Sequence, residues 1–321
     1  MPCKNDAARA CLMPAIQSHG ARLLEGCRVI AVQVEGRRAT GVSCLWRGRE
    51  LNLRARTVVL AAGALQSPLI LLRSDARAHT GAASSSLLVG AHLMRHLIDV
   101  YLVRPETGRN TTFDNRHKEI AFNDFYLNEG EKLGTVQSFG RLPPAPMLFG
   151  SLRDDVRASR FAWADRLLPL AWPLMRPVLH DMSNNWLALA SITEDLPYGD
   201  NAVMLDPAGP TRARIRYSLR DESKRRVAHF RQLMAGVLKG RTWRRLSQTD
   251  NNTRIAHACG TCRFGNNPRT SVLDRDNRAH GMDNLFVVDS SFFPSSGGTN
   301  PSLTIAANAI RVGQKIRDQW L

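Results

Sequence analysis

The chain has 321 residues, enough for about two domains with sizeable cores, and its 43% apolar content is ordinary for a globular protein. Its 44 Lys and Arg outnumber 28 Asp and Glu, so the net charge is +16 and the pI is near 10.6. The arginines are spread along the chain, with short clusters at 220–231 and 241–245 and no zinc-finger spacing or aromatic-interleaved basic repeat, which sets specific nucleic-acid binding aside; no signal peptide or membrane-spanning run is visible.

The first patterned stretch, Leu23 to Gly63, reads as strand, turn, strand, turn, strand, with turns around Gly36-Arg37 and Arg47-Gly48. Its last part, Val58 to Ala62, is an unbroken apolar run, the mark of a parallel strand buried on both faces. Gly63 permits a tight turn, and Pro68 sits early in a following apolar helix, Leu69–Arg73. By itself this is an ordinary strand–helix unit. A dinucleotide-binding GxGxxG is absent, since the glycines from Gly36 to Gly48 have the wrong spacing and follow a basic run.

In the middle, the apolar stretch Phe161 to Leu179 is interrupted by Pro169, Pro173 and Pro177. Those prolines exclude one long membrane helix and predict a wall or lid, facing a membrane, an apolar substrate or simply the core. Trp186 to Ile192 reads as a strand. Asp221 to Lys239 reads as an amphipathic helix with a solvated basic face.

Six cysteines are scattered at Cys3, Cys11, Cys27, Cys44, Cys259 and Cys262. Only Cys259 and Cys262, beside His257, have ligand-like spacing. A structural zinc site needs a fourth ligand, and none is well placed; a redox CxxC lacks the thioredoxin context.

The C-terminal stretch is the most specific. Leu285 to Asp289 is a short apolar strand followed by a Ser/Gly-rich loop, Ser290–Thr299. Gly297 and Gly298 would let the backbone approach a ligand closely. Asn300 fits a helix cap and Pro301 the first helical position, and the spacing predicts a helix over 301–317 with Leu303, Ala306, Ala307 and Ile310 on its apolar face. The N-terminus of such a helix stabilises an anionic group. Histidine is the natural base at neutral pH, and a satisfied core histidine is the plain alternative for His257; Asp289 reads as a strand-end cap.

Taken together these residues resemble the glucose-methanol-choline (GMC) flavoprotein oxidoreductases. The resemblance rests on His257 followed by Gly260-Thr261-Cys262, on the strand ending in Asp289, and on Gly297-Gly298-Thr299-Asn300-Pro301. Thr57 to Pro68 resembles the family's second signature, and Gly90-Ala-His-Leu-Met-Arg-His96 a third segment. Residues 1–100 and 255–321 match well and 101–254 loosely. The resemblance implies a mixed α/β fold: an incomplete Rossmann-like FAD-binding domain built from 1–100 and 255–321, interleaved with an antiparallel-sheet substrate domain at 101–254 flanked by helices. It implies FAD as cofactor, held by Val29, Ala62, Gly63, Asp289, Ser290, Asn300, Pro301 and Ser302, with Val29 at the adenine end. It implies oxidation of a CH–OH group of an alcohol, sugar or polyol, with His257 as base, Asn300 holding the substrate oxygen, and hydride passing to flavin N5. Oxygen, a quinone or a cytochrome is the implied electron acceptor. The chain resembles the last three-fifths of such an enzyme. The remainder would come from a misplaced start, a longer gene or a partner chain; the alternative is a non-catalytic fragment.

Overall fold

The computed structural model describes residues 6–74, 87–105, 120–139, 142–157, 159–252 and 255–320; Cys3 lies outside them. A single π turn, Ala8–Leu12, leads into a short helix, α1 (Met13–His19). The expected ribbon follows as three antiparallel strands, β1 (Cys27–Glu35), β2 (Arg38–Trp46) and β3 (Arg49–Arg54), in that order across the sheet. Next come β4 (Val58–Leu60) and α2 (Gly63–Arg73).

The middle builds one five-stranded sheet. Its strands are β5 (Leu97–Val103), β6 (Ala121–Phe122), β9 (Gly134–Ser138), β10 (Leu187–Thr193) and β13 (Trp243–Leu246), ordered β13-β5-β10-β9-β6 with every pairing antiparallel. Between β6 and β9 lies a small hairpin, β7 (Leu127–Asn128) with β8 (Glu131–Lys132). Two helices, α3 (Ala145–Arg157) and α4 (Leu168–Asn185), lie between β9 and β10 in sequence, joined by a 3₁₀ turn at Ala162–Arg166. A second hairpin, β11 (Ala202–Asp206) with β12 (Gly209–Arg216), precedes α5 (Asp221–Val237). Phe230 and Met234 of α5 pack with Tyr101, Leu133 and Val136 of the sheet side. The chain then reaches β14 (Leu285–Val287) and α6 (Ser302–Trp320).

β14 returns to pair in parallel with β4, Leu285 opposite Val58 and Val287 opposite Leu60. Asn284, fully buried just before β14, ties this pair to the ribbon. Its amide oxygen accepts from Ala39 N at 2.7 Å, and its Nδ2 donates to the carbonyls of Ala39 (2.7 Å) and Arg56 (2.6 Å). The fold class is therefore the expected mixture of a parallel strand–helix unit with antiparallel sheets.

Three local readings change. Val58 and Leu60 are buried, but Val59 is 44% exposed, so β4 is covered on one face only. Helix α2 starts at Gly63 rather than after Pro68, so Pro68 lies inside it. A proline there cannot donate to the carbonyl four residues back. The carbonyl concerned is that of Ala64, and the buried Thr261 hydroxyl donates to it at 2.7 Å. The third change is α4, which runs unbroken through Pro173 and Pro177. Spaced four apart, Pro169, Pro173 and Pro177 fall on one exposed side of the helix, where water satisfies the carbonyls left without N–H donors.

The Thr261–Ala64 bond predicts a coupling. Thr261→Val should destabilise the fold by about 1–3 kcal/mol, the cost of a buried unsatisfied carbonyl. In a Pro68→Ala background, where the helix supplies its own donor, the same change should cost clearly less. Urea unfolding of the four proteins measures both; equal costs in the two backgrounds would contradict the account.

Candidate active site

The closing of β14 on β4 brings Asp289 to the start of α2. Asp289 Oδ2 accepts from Gly63 N at 3.0 Å and from the Ser67 hydroxyl; Oδ1 accepts from Ser291 N at 2.9 Å and from the Ser291 hydroxyl. Ser67 Oγ in turn accepts from Ala62 N at 3.1 Å. Both carboxylate oxygens are thus engaged by the protein, as a strand-end cap joining two segments. Ser290 donates its hydroxyl to Ala258 O at 2.8 Å, holding the loop next to His257. Gly63 has φ +82° and open space above its Cα, so bare backbone is presented at the start of α2.

His257 is exposed and sits on left-handed backbone (φ 54°), a costly conformation for a non-glycine residue that is concentrated at functional sites. Its ring meets that of His96 edge to face, with Nδ1 of each 2.8 Å apart. His96 is buried, and its Nε2 lies 3.0 Å from the carbonyl oxygen of Ser296. Burial pushes His96 down to about 4, opposed by the Ser296 carbonyl and aided by the neighbouring His257.

Beneath the pair lies a buried polar network. The Arg95 guanidinium donates to Asn251 O (2.8 Å) and Thr249 O (2.6 Å) and lies 4.8 Å over the Tyr217 ring. Asp195 accepts from Arg95 N (3.2 Å) and from the Tyr217 hydroxyl (2.8 Å), and burial pushes its carboxyl up. Asp195 and Ser296 bond reciprocally: Asp195 N donates to Ser296 Oγ at 2.8 Å, and that hydroxyl donates to Asp195 O at 3.1 Å. The carbonyl that fixes His96 is fixed from below.

Asn300 is four residues beyond Ser296. Its amide pairs with Gln137 on β9, Asn300 Nδ2 donating to Oε1 at 2.8 Å and Gln137 Nε2 donating to Asn300 Oδ1 at 3.3 Å, rather than capping α6. Gly298 serves the protein: a Cβ there would run into the Cα of Gly134, and Gly298 O accepts from Thr135 N at 2.9 Å. Cys259 and Cys262 are buried in the core with Val272, Leu273 and Phe292, and burial pushes both thiols up, away from thiolate chemistry. Val29 is partly buried on β1, against the core cluster it shares with α2. His96 and Gln137 are the partners that reading the sequence did not single out. His96 stood inside a quoted segment, but its contact with His257 spans 161 positions, beyond any local pattern.

Residues 2–98 match the N-terminal GMC oxidoreductase family model and residues 197–309 the C-terminal one. The chain belongs to the GMC oxidoreductase family. It is 31% identical to paromamine 6'-oxidase of Streptomyces fradiae, over 98% of this chain and 55% of that protein. It is 28% identical to the 2-methyl-1,2-propanediol dehydrogenase of Mycolicibacterium austroafricanum, over 94% of this chain and 55% of that protein. The fructose dehydrogenase large subunit of Gluconobacter japonicus is 23% identical over 92% of this chain and 54% of that protein. In structure the fold is similar to pyridoxine 4-oxidase from Mesorbium loti (TM-score 0.63, 21% identity, covering 97% of this chain and 61% of that one). The chain thus spans a little over half the length of the curated relatives it matches.

FAD is the cofactor this membership supports. The residues present fit one wall of a flavin site: the open backbone at Gly63, the exposed Ala62, and the first turn of α6, where Ser302 and Leu303 are exposed. They do not fit its pyrophosphate end, for which the sequence holds no glycine-rich phosphate loop.

The depressed His96 sets a pH dependence. The unfolded chain protonates this ring near 6.5 and the folded one only near 4, so between those values the unfolded state binds more protons. Its contribution is therefore fully present above about pH 6.5 and is lost as pH falls toward 4. Urea midpoints across that window should fall with acid in the native chain and fall less steeply in His96→Asn; parallel slopes would contradict the burial argument.

Proposed function

We propose that this chain carries the alcohol-oxidising part of an FAD-dependent enzyme acting on a CH–OH group of an alcohol, sugar or polyol, with His257 as general base. The observation that supports it is the histidine pair. A carbonyl oxygen only accepts, so the His96 nitrogen facing Ser296 O carries hydrogen. His96 stays neutral above about pH 4, so its Nδ1 is a lone pair and the hydrogen between the rings belongs to Nδ1 of His257. A neutral His257 in that tautomer bears its own lone pair at Nε2. An exposed imidazole of fixed tautomer is suited to take a hydroxyl proton.

Asn300 is the second substrate group. Gln137 fixes its amide orientation by the reciprocal bonds, leaving a second N–H on Nδ2 to bind the substrate oxygen. Bound FAD would supply the acceptor for the hydride leaving the substrate carbon. Ala62, Gly63, Ser290, Pro301 and Ser302 would line the flavin and Val29 its adenine end. Asp289 would act through the backbone it holds, because its carboxylate is already occupied. Residues 1–100 with 255–321 form the flavin-facing unit in this reading, and 101–254 the substrate-facing one.

The relatives' names cover a diol, fructose and paromamine, and both oxidases and dehydrogenases. Reoxidation by oxygen, a quinone or a cytochrome fits this part of the site equally. Exposed apolar residues where β4 and α6 face outward, Val59, Leu303 (82% exposed) and Ile310, favour completion of the flavin site by further polypeptide, in the same chain or a partner.

Visible absorbance after incubation with FAD and desalting tests cofactor retention, alone and with any co-purifying chain. In flavin-loaded protein, His257→Ala should slow flavin reduction by alcohol by about 10²–10⁴-fold, the range for a general base, while flavin stays bound. His96→Leu should slow it less and alter its pH profile. An unchanged reduction rate in His257→Ala sinks the assignment.

A further inference from the structure

The helical hairpin between β9 and β10 leaves an apolar face that the rest of the described structure does not cover. On α4, Leu170 is 77% exposed and Leu174 80%, and Leu167 and Val178 continue the same row. Pro169, Pro173 and Pro177 run beside it, one residue back at each step. The opposite side of α4 faces inward through Trp172, which packs on Phe149 of α3 with ring centroids 4.8 Å apart. At the head of the row, Phe161 and Trp163 are also exposed.

The charges around this face have one sign. Between Arg160 and His180 there are three exposed arginines and a single acid, Asp165: Arg160 and Arg166 stand at the head of the row, whereas Arg176, four residues after Trp172, is on the other side of α4. That acid is turned into the hairpin: Asp165 Oδ1 accepts from Arg153 at 2.7 Å and Oδ2 from Arg157 at 2.8 Å. Asp181, just past the row, accepts from Asn185 (2.7 Å) and Trp186 (2.9 Å). The Arg160 guanidinium lies 4.7 Å over the Phe161 ring, so cation and aromatic are presented together.

We propose that this face of α4, with Phe161 and Trp163, docks on an anionic lipid bilayer surface. A helix with one apolar side, flanking arginines and aromatic residues at its end is the pattern of an interfacial helix, and arginines reach phosphate headgroups while their stems stay with the apolar side. The prolines set the depth. The carbonyls of Pro169 and Pro173, on the exposed proline stripe beside the row, have no helical donors, so they must remain with water. The helix therefore lies among the headgroups and does not enter the hydrocarbon. No described helix is long and apolar enough to cross a membrane. A protein partner explains the apolar row less well, because it would have to match Arg160 and Arg166 with no acid left on the face to set register.

Co-sedimentation of the full chain with vesicles tests this, using phosphatidylcholine alone and a phosphatidylcholine–phosphatidylglycerol mixture. The chain is strongly basic throughout, so the apolar row must be separated from general charge. Binding should appear with the anionic vesicles and fall with salt. Leu170→Gln with Leu174→Gln should weaken it at least tenfold; each of Arg160→Gln and Arg166→Gln should weaken it roughly fivefold. A blue shift of tryptophan emission on vesicle addition should vanish in Trp163→Phe. All substituted positions are exposed, and an unchanged thermal midpoint verifies folding. Absence of binding overturns the proposal, as does binding indifferent to the Leu170/Leu174 change. Self-association through the row without vesicle binding also overturns it, in favour of a second copy.

Discussion

The architecture depends on one short pairing, β4 against β14, three residues of parallel strand from chain segments more than 220 positions apart. Parallel pairing of such remote segments is entropically expensive and cannot be held by three residues of ladder alone. Asn284 secures one end, with three hydrogen bonds into the ribbon and the β3–β4 connection. Asp289 secures the other, with four bonds shared between the start of α2 and the 3₁₀ turn at Ser290–Phe292. Bonds to an ionised acceptor are worth roughly 1.5–3 kcal/mol each, so the closure is electrostatic as much as apolar. Everything placed near the proposed site, from the Gly63 turn to the Ser296–Asn300 loop, is positioned relative to this joint.

A second constraint connects the joint to the histidines. Gly260, Cys262 and Phe264 donate their backbone N–H groups to the carbonyls of Ser290, Ser291 and Phe292, so the segment after His257 runs along the segment after Asp289. Met94 and Cys259 exchange both backbone bonds, which seats the His96 segment on the same strip. His96 and His257 meet because two separate backbone registrations bring them to one point. The left-handed φ at His257 is the local cost of turning its ring toward His96 and outward together.

The parts of this molecule that were legible in the sequence are those with local signals. The three-strand ribbon, α5 and the C-terminal helix announce themselves through turn residues and periodicity. The apolar run at Val58 was legible as a strand, but not its one-sided exposure, because the run carries the same residues whether or not its outer face is covered. Prolines misled twice for one reason: Pro68 and the Pro173/Pro177 pair are judged from sequence by the bond they remove, whereas the structure shows where the orphaned carbonyl finds a donor. For Ala64 that donor is Thr261, nearly 200 residues away; on α4 the prolines stand on an exposed side, open to solvent. Residue type pointed to His257 as chemically capable, and the family resemblance pointed to Asn300. Their partners, Gln137 and His96, have no local signature, since a glutamine on a strand and a histidine after an arginine are unremarkable until the loop from Ser296 to Asn300 is laid over both.

In the proposed reading, the two histidines divide a task that one could not perform alone. A general base must reach its substrate, so it must be accessible, and an accessible imidazole in water exchanges its tautomers freely. Burial would fix the tautomer but remove the access. Here the burial is assigned to His96, whose charged form is suppressed by its surroundings and whose hydrogen is committed to a backbone carbonyl. That commitment is then read outward through one 2.8 Å contact to a ring that remains exposed. The buried Arg95–Asp195–Tyr217 cluster fits the same logic. Its Arg95 and Asp195 are buried and Tyr217 only partly exposed; through Asp195 the cluster holds Ser296, and Ser296 orients the carbonyl on which the proposed relay rests. In that reading the charges of this cluster lie one layer beneath the proposed chemistry, where they fix geometry without competing for the proton.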